Sequence, residues 1–258
     1  MSGHVLEIDA VTTLLCDADG TLFGSEEPAF DASVEVTNRC LAQLGSSRTY
    51  TAEELRLSTN GQNFRNTITS LARGLGVAVE EEPFRTDVET WVTEENAVVT
   101  AHLARVLSPD AEVSGALSRL SQRYQLAVVT SSALARIGPC LDSAELSHLF
   151  APERRFSAQD SLPVPTSKPD PAVYLEAGRV LGLRPDQAVA IEDAIAGAES
   201  AVRAGFVTIG MLCFVPEAER AQRIADLERI GVAALVDSWD ELERLLTPAP
   251  VTAGPVTG

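Results

Sequence analysis

Short apolar runs recur along the chain, several of them closing on polar residues: TTLLCD (12–17), QLAVVTS (125–131), QAVAIED (187–193), FVTIGM (206–211) and AALVD (233–237). Too short for buried helices and rich in β-branched side chains, they predict strands covered on both faces. Helical patterning alternates with them, which predicts an α/β fold built on a parallel sheet. Sheets of that kind bind ligands beyond the carboxyl ends of their strands. Asp17, Thr130, Glu192 and Asp193 fall at three such ends.

The spacing between the first two strands is different. Phe30, Val34, Thr37, Leu41 and Leu44 recur at helical intervals after Pro28, and Thr51 with Glu54 suits a capping box before a further helix. Phe64, Ile68, Leu71 and Leu75 form another stripe, as do Phe84, Val88 and Trp91. Residues 26–108 therefore read as a helical insertion large enough to be its own small domain, its aromatic residues forming its core. The parent domain would be 1–25 together with 109–246. The tail TPAPVTAGPVTG (247–258) is rich in Pro, Gly and Thr and is expected to be disordered.

A length of 258 residues allows one large domain or a domain carrying such an insertion. The net charge of −17 argues against nucleic acid or an anionic membrane as partner, because both need a basic footprint. A small anionic substrate would need a locally placed cation. The N-terminal MSGHVLEIDA lacks the basic start and apolar core of a secretory signal. No apolar run approaches the ~20 residues of a membrane-spanning helix. Cys16, Cys40, Cys140 and Cys213 are dispersed without a C-x-x-C pair, as expected of reduced thiols in a cytoplasmic protein. His4, His102 and His148 form no metal-binding pattern.

Chemistry concentrates in four stretches. CDADGTLF places Asp17 and Asp19 at a strand end, with Gly20 allowing a tight turn. VVTSS offers the hydroxyls of Thr130, Ser131 and Ser132, and AIED ends on Glu192 and Asp193. TSKPDP carries Lys168, the only lysine among 20 basic residues. Asp170 and Pro171 suit the cap and first position of a helix running to Gly182, which fixes Lys168 in a loop. Taken singly, these are a polar turn, a helix cap, a solvated acidic pair and a surface lysine. Gathered together, four carboxylates would repel one another unless a cation joined them. Mg²⁺ takes carboxylate oxygens and substrate phosphate. With one ammonium and a hydroxyl, such a site can hold a phosphoryl group beside a carboxylate nucleophile.

The order D-x-D-G-T-L (17–22), a strand ending in Thr130, K-P-D-P (168–171) and E-D-x-x-x-G (192–197) resembles the haloacid dehalogenase superfamily. It is similar to the subgroup with a helical cap inserted between the first two motifs, which includes phosphoglycolate-type phosphatases and β-phosphoglucomutase. The resemblance covers about residues 12–240. It implies a Rossmann-like parallel sheet core with an inserted all-α cap domain. It further implies Asp17 as nucleophile and Asp19 as general acid, then base, with the Asp19 backbone carbonyl on Mg²⁺. Thr130, Ser131 and Lys168 would hold the phosphoryl group. Asp193 would ligate the metal, with Glu192 a ligand or bonded through water. The implied activity is a Mg²⁺-dependent phosphatase acting on a small phosphorylated metabolite, a sugar or polyol phosphate. A sugar-phosphate mutase and a catalytically silent binding protein are the alternatives. Asp19 is absent from the dehalogenases themselves, and this cap has no lysine of the kind that phosphonate-cleaving and mutase relatives use. Phe23-Gly24-Ser25 stands where many relatives have an aspartate. Substrate choice is expected in the cap stretch STNGQNFRN (58–66), through Asn60, Gln62, Asn63 and Arg65.

Overall fold

Each apolar run forms a strand in the computed structural model, which describes residues 9–59 and 63–247. The strands are β1 (Thr13–Cys16), β2 (Gln125–Thr130), β4 (Ala188–Glu192), β5 (Val207–Met211) and β6 (Ala234–Val236), joined by a short β3 (Arg155–Ser157). They make one six-stranded sheet in the order β3-β2-β1-β4-β5-β6, with every pairing parallel. Central β1 pairs with both β2 and β4, so that Thr13 lies opposite Gln125 on one side and Ala188 on the other. Strand order reverses direction between β1 and β4, and the crevice at that switch point opens beside Asp17 and Glu192.

Alternation along the strands divides the core into two layers. Leu14 and Cys16 pack with Val128, Val189 and Ile191 on one face, whereas Leu15 packs with Ala127, Val129, Ala190 and Tyr174 on the other. The layers are closed by α5 (Ala111–Leu120), α6 (Leu134–Ser143), α7 (Ala172–Leu181), α8 (Ile195–Arg203), α9 (Glu217–Ile230) and α10 (Trp239–Leu245). Buried Trp239 donates its indole N–H to the Thr21 carbonyl at 3.0 Å, tying α10 to the loop after β1.

Between β1 and β2 the described residues contain helices and no strand: α1 (Glu26–Gln43), α2 (Ala52–Thr59), α3 (Phe64–Gly74) and α4 (Phe84–Val106), followed by α5. These four share a separate apolar cluster that includes Val36, Leu41, Leu55, Ile68, Phe84 and Trp91. Phe84 and Trp91 meet edge to face with centroids 5.9 Å apart. Thr51 and Glu54 exchange the reciprocal bonds of a capping box at the start of α2.

One boundary departs from the sequence reading. The helix expected to start with Pro171 begins one residue later, at Ala172, and Pro171 is its cap. Asp170 still satisfies the free Ala172 N–H at 2.9 Å. Of the tail 247–258, expected to be disordered, Thr247 is described and donates its hydroxyl to the Glu243 carbonyl at 2.7 Å, and residues 248–258 lie outside the described residues. No helix among the described residues is long and apolar enough to cross a membrane.

Candidate active site

Asp17 directly follows β1, and its N–H extends the ladder to the Ile191 carbonyl at 2.9 Å. Its carboxylate is thereby fixed at the sheet's carboxyl edge, beside Glu192 at the end of β4 and Asp193 just beyond. Donor oxygens of these three buried acids lie within 4.8 Å of one another. Lys168 reaches the same point from the loop before α7. Its Nζ donates to Asp17 Oδ1 at 2.6 Å, Glu192 Oε1 at 2.6 Å and the Val129 carbonyl at 2.8 Å. The Tyr174 hydroxyl also donates to Glu192 Oε1, at 2.5 Å, and the tyrosine ring lies 5.3 Å from the ammonium.

The electrostatics follow from this crowding. Burial alone would lower the Lys168 pKa, but the carboxylates of Asp17 and Glu192 hold it above the ordinary lysine value. Burial pushes the Asp17 carboxyl upward against the pull of Lys168. It pushes Glu192 up to about 8 and Asp193 up to about 7, and the neighbouring Asp17 charge adds to both. One ammonium does not suffice for three buried acids.

The donor set suits a hard divalent cation. Glu192 Oε2 is buried with no hydrogen-bond partner. Two glycines keep the surroundings open: a Cβ on Gly20 would fall 2.5 Å from Asp193 Oδ2, and one on Gly197 only 1.9 Å from Glu192 Oε2. Gly20 also has φ +84°, a conformation that a side chain would strain. Asp193 is further held by the Thr21 hydroxyl at 3.0 Å and by Arg223, whose Nη1 donates to the Asp193 carbonyl at 2.6 Å.

Asp19 is placed differently. Its carboxylate accepts from the hydroxyls of Ser25, at the entry to α1, and Ser132, after β2 at 2.7 Å. Its side chain therefore stands apart from the three-acid cluster. Thr130 Oγ1 accepts from the Ser132 N–H at 3.0 Å, and Ser131 Oγ from the Lys168 N–H at 3.1 Å.

Asp17, Asp19, Thr130, Ser131, Lys168, Glu192 and Asp193 open onto one cleft of about 850 Å³ between the sheet edge and the helical insertion. Asn63 and Arg65 line it as well. Asn63 caps α3 by accepting from the Asn66 N–H, and Arg65 pairs with Glu89 through both guanidinium nitrogens. Asn60 and Gln62 lie outside the described residues. Across the cleft, Arg136 of α6 donates to Glu95 at 3.1 Å and Asn96 at 2.9 Å, both on α4. Burial holds the Glu95 carboxyl above its usual range, against Arg136 and Ser33. The sequence reading did not single out Tyr174, Arg223, Glu95 or Arg136. Tyr174 stands six positions after Lys168 on the next helix and was within reach of a motif argument, whereas Arg223 follows Asp193 by thirty residues with nothing local to mark it.

A family model described as a haloacid dehalogenase-like hydrolase matches residues 11–205. The chain belongs to that family of hydrolases. It is 28% identical over 115 residues to the 6-phosphogluconate phosphatase of Escherichia coli K12, covering 44% of this chain and spanning about half the length of that relative (50%). Among solved structures it resembles a haloacid dehalogenase family hydrolase of Deinococcus radiodurans R1 with bound phosphate and sodium. That likeness has 26% identity and TM-score 0.60, covering 93% of this chain and 99% of the other. CbbY of Rhodobacter sphaeroides, solved with xylulose-(1,5)bisphosphate, shares the fold at 23% identity and TM-score 0.64, covering 90% and 96%.

Proposed function

We propose that this hydrolase is a Mg²⁺-dependent phosphatase of small phosphorylated metabolites, with a sugar or polyol phosphate as substrate and an aspartyl-phosphate on Asp17 as intermediate. In this reading residues 26–108 are a cap domain over a core of 1–25 and 109–246. The carrying observation is that two aspartates only two residues apart have opposite surroundings. Asp17 is buried against an ammonium and two further acids, while Asp19 is held by two hydroxyls at the cleft wall. Divergent environments of this kind separate a nucleophile from an acid–base group.

Asp17, Glu192 and Asp193 would hold Mg²⁺, which when bound supplies positive charge for the phosphoryl oxygens. A carboxylate oxygen of Asp17 attacks phosphorus, and the bond from phosphorus to the ester oxygen breaks. Asp19, as the general acid, delivers a proton to that leaving oxygen, so the product departs as a neutral alcohol. Asp19, now a carboxylate, takes a proton from the water that attacks the aspartyl-phosphate, releasing inorganic phosphate and restoring Asp17. Thr130 and Ser131 supply hydroxyls near the phosphoryl group. Lys168 acts mainly through charge, because its three N–H bonds already go to Asp17, Glu192 and Val129.

Phosphate release from a panel of phosphate esters with Mg²⁺ tests the activity, and Asp17→Asn tests the route. Turnover should vanish while circular dichroism stays native, because an amide is a poor nucleophile. Near-wild-type turnover would exclude Asp17. Asp19→Asn should slow alkyl esters, whose leaving oxygen needs a proton, far more than activated aryl esters. Equal losses on both would remove Asp19 as the acid.

A further inference from the structure

The charges lining the cleft restrict the leaving group, given the phosphatase reading above. Four cations line it among the described residues, Arg65, Arg136, Lys168 and Arg223, against eight carboxylates. Every one of the four already has an acidic partner: Glu89 for Arg65, Glu95 for Arg136, Asp17 and Glu192 for Lys168, Asp193 and Glu219 for Arg223. Residues 60–62, outside the description, are Asn-Gly-Gln and bring no charge. A bound divalent cation and one phosphoryl dianion would cancel each other and leave the acidic excess in place. Glu26, one of the eight, stands on the cap side with no ion-pair partner within 4 Å among the described residues.

Arg136 is the cation a second anionic group would look for, since it spans the cap–core boundary. Its Nη2 is held by Glu95 and by the Asn96 side-chain oxygen, and Glu95 is only 5% exposed. An anion reaching the remaining N–H groups of Arg136, whose Nε is buried without a hydrogen-bond partner, would lie against the Glu95 carboxylate at low dielectric, where repulsion is strong. A hydroxyl group does not meet that repulsion. It can donate to a paired carboxylate and accept from the side-chain amides of Asn63, Asn66 or Gln159, all of which line the cleft.

We propose that the leaving group is an uncharged, hydroxyl-rich alcohol, and that Glu95, braced by Arg136, is a specificity-determining residue that rejects a second anionic group. The discrimination belongs to the repulsive side of recognition rather than to a new attraction.

Matched six-carbon esters test this: sorbitol 6-phosphate and glucose 6-phosphate against 6-phosphogluconate and glucose 1,6-bisphosphate, with Mg²⁺. The neutral-tailed esters should exceed the anionic-tailed ones in kcat/KM by about tenfold or more, the size of effect that a like-charge contact produces. Equal or reversed values would overturn the proposal. Glu95→Gln, which keeps the shape and removes the charge, should narrow that ratio several-fold by improving the anionic esters. An unchanged ratio in that variant would overturn the role of Glu95. Binding of the same four esters to Asp17→Asn, measured by calorimetry, reads the preference without turnover. A tenfold binding preference there supports the proposal even if the wild-type protein releases no phosphate, an outcome that would count against the phosphatase reading alone. Equal binding there would overturn the proposal.

Discussion

Lys168 illustrates how much of the site depends on one side chain's shape. Its three donors meet three acceptors from three different segments, at the ends of β1, β2 and β4. A compact ammonium can point at all three, whereas a planar guanidinium cannot without moving one of them. Lys168→Ala should reduce kcat about 10²–10³-fold, the loss typical of one electrostatic group at a reacting centre. It should also lower the stability of the metal-free protein by ~3–5 kcal/mol, because two buried acids lose their counter-ion. Urea midpoints with and without Mg²⁺ separate the two effects. Lys168→Arg should recover only part of either, and full recovery would show that charge alone matters. Asp17, Asp19, Lys168, Glu192 and Asp193 could all be picked out of the sequence, since each stands at a predicted strand end or in a constrained loop. Ser25 and Arg223 could not, because their roles arise only when distant segments meet. Ser25 stands in the Phe23-Gly24-Ser25 departure, where it supplies a hydroxyl to Asp19.

The helices were predictable where an apolar stripe was long and a cap was present. α5, which the sequence analysis did not single out, carries a cap as well: Asp110 Oδ1 accepts from the N–H groups of Glu112 at 2.9 Å and Val113 at 3.2 Å, satisfying two amides that the helix itself leaves free. Asp110→Ala should cost ~1 kcal/mol of unfolding free energy, with little change in activity. A denaturation midpoint unchanged in that variant would mean that water replaces the cap at no cost. The ion pairs that Arg119 of the same helix makes with Asp240 and Glu243 are half exposed and should contribute far less. In the insertion, α1, α3 and α4 were readable from their stripes, as Phe30, Val34, Leu41, Phe64, Ile68, Phe84, Val88 and Trp91 are buried or partly buried, and α2 from its capping box, whereas Leu75 at the end of the predicted α3 stripe is exposed. β3 was not readable. Its three residues, Arg155, Phe156 and Ser157, contain one apolar side chain and carry no period. It exists because β2 offers an open edge, a tertiary cause with no local signal.

Over the whole molecule, the three-acid cluster makes stability depend on pH and metal together. In the metal-free protein Glu192 is raised from 4.5 to about 8 and Asp193 from 3.8 to about 7. Between their unfolded and folded values, the folded chain therefore holds protons that the unfolded chain has released. Stability from this source is fully present below about pH 4, and it is lost as pH rises through 7 to 8. A divalent cation held by this cluster would reverse the trend, because it would bind the ionised carboxylates and bind them better as protons leave. Mg²⁺ should therefore raise the melting temperature little at pH 5 and strongly at pH 8. At a hundredfold excess over its dissociation constant the gain is ~2.7 kcal/mol, or roughly 5–10 °C for a chain of this size. Differential scanning calorimetry at the two pH values, with EDTA or Mg²⁺, measures it directly without reference to substrate. Asp193→Asn should abolish most of the shift at pH 8, and it should flatten the metal-free decline by removing one of the two carboxyls. An equal Mg²⁺ effect at pH 5 and pH 8, or one that survives in Asp193→Asn, would place cation binding away from the end of β4.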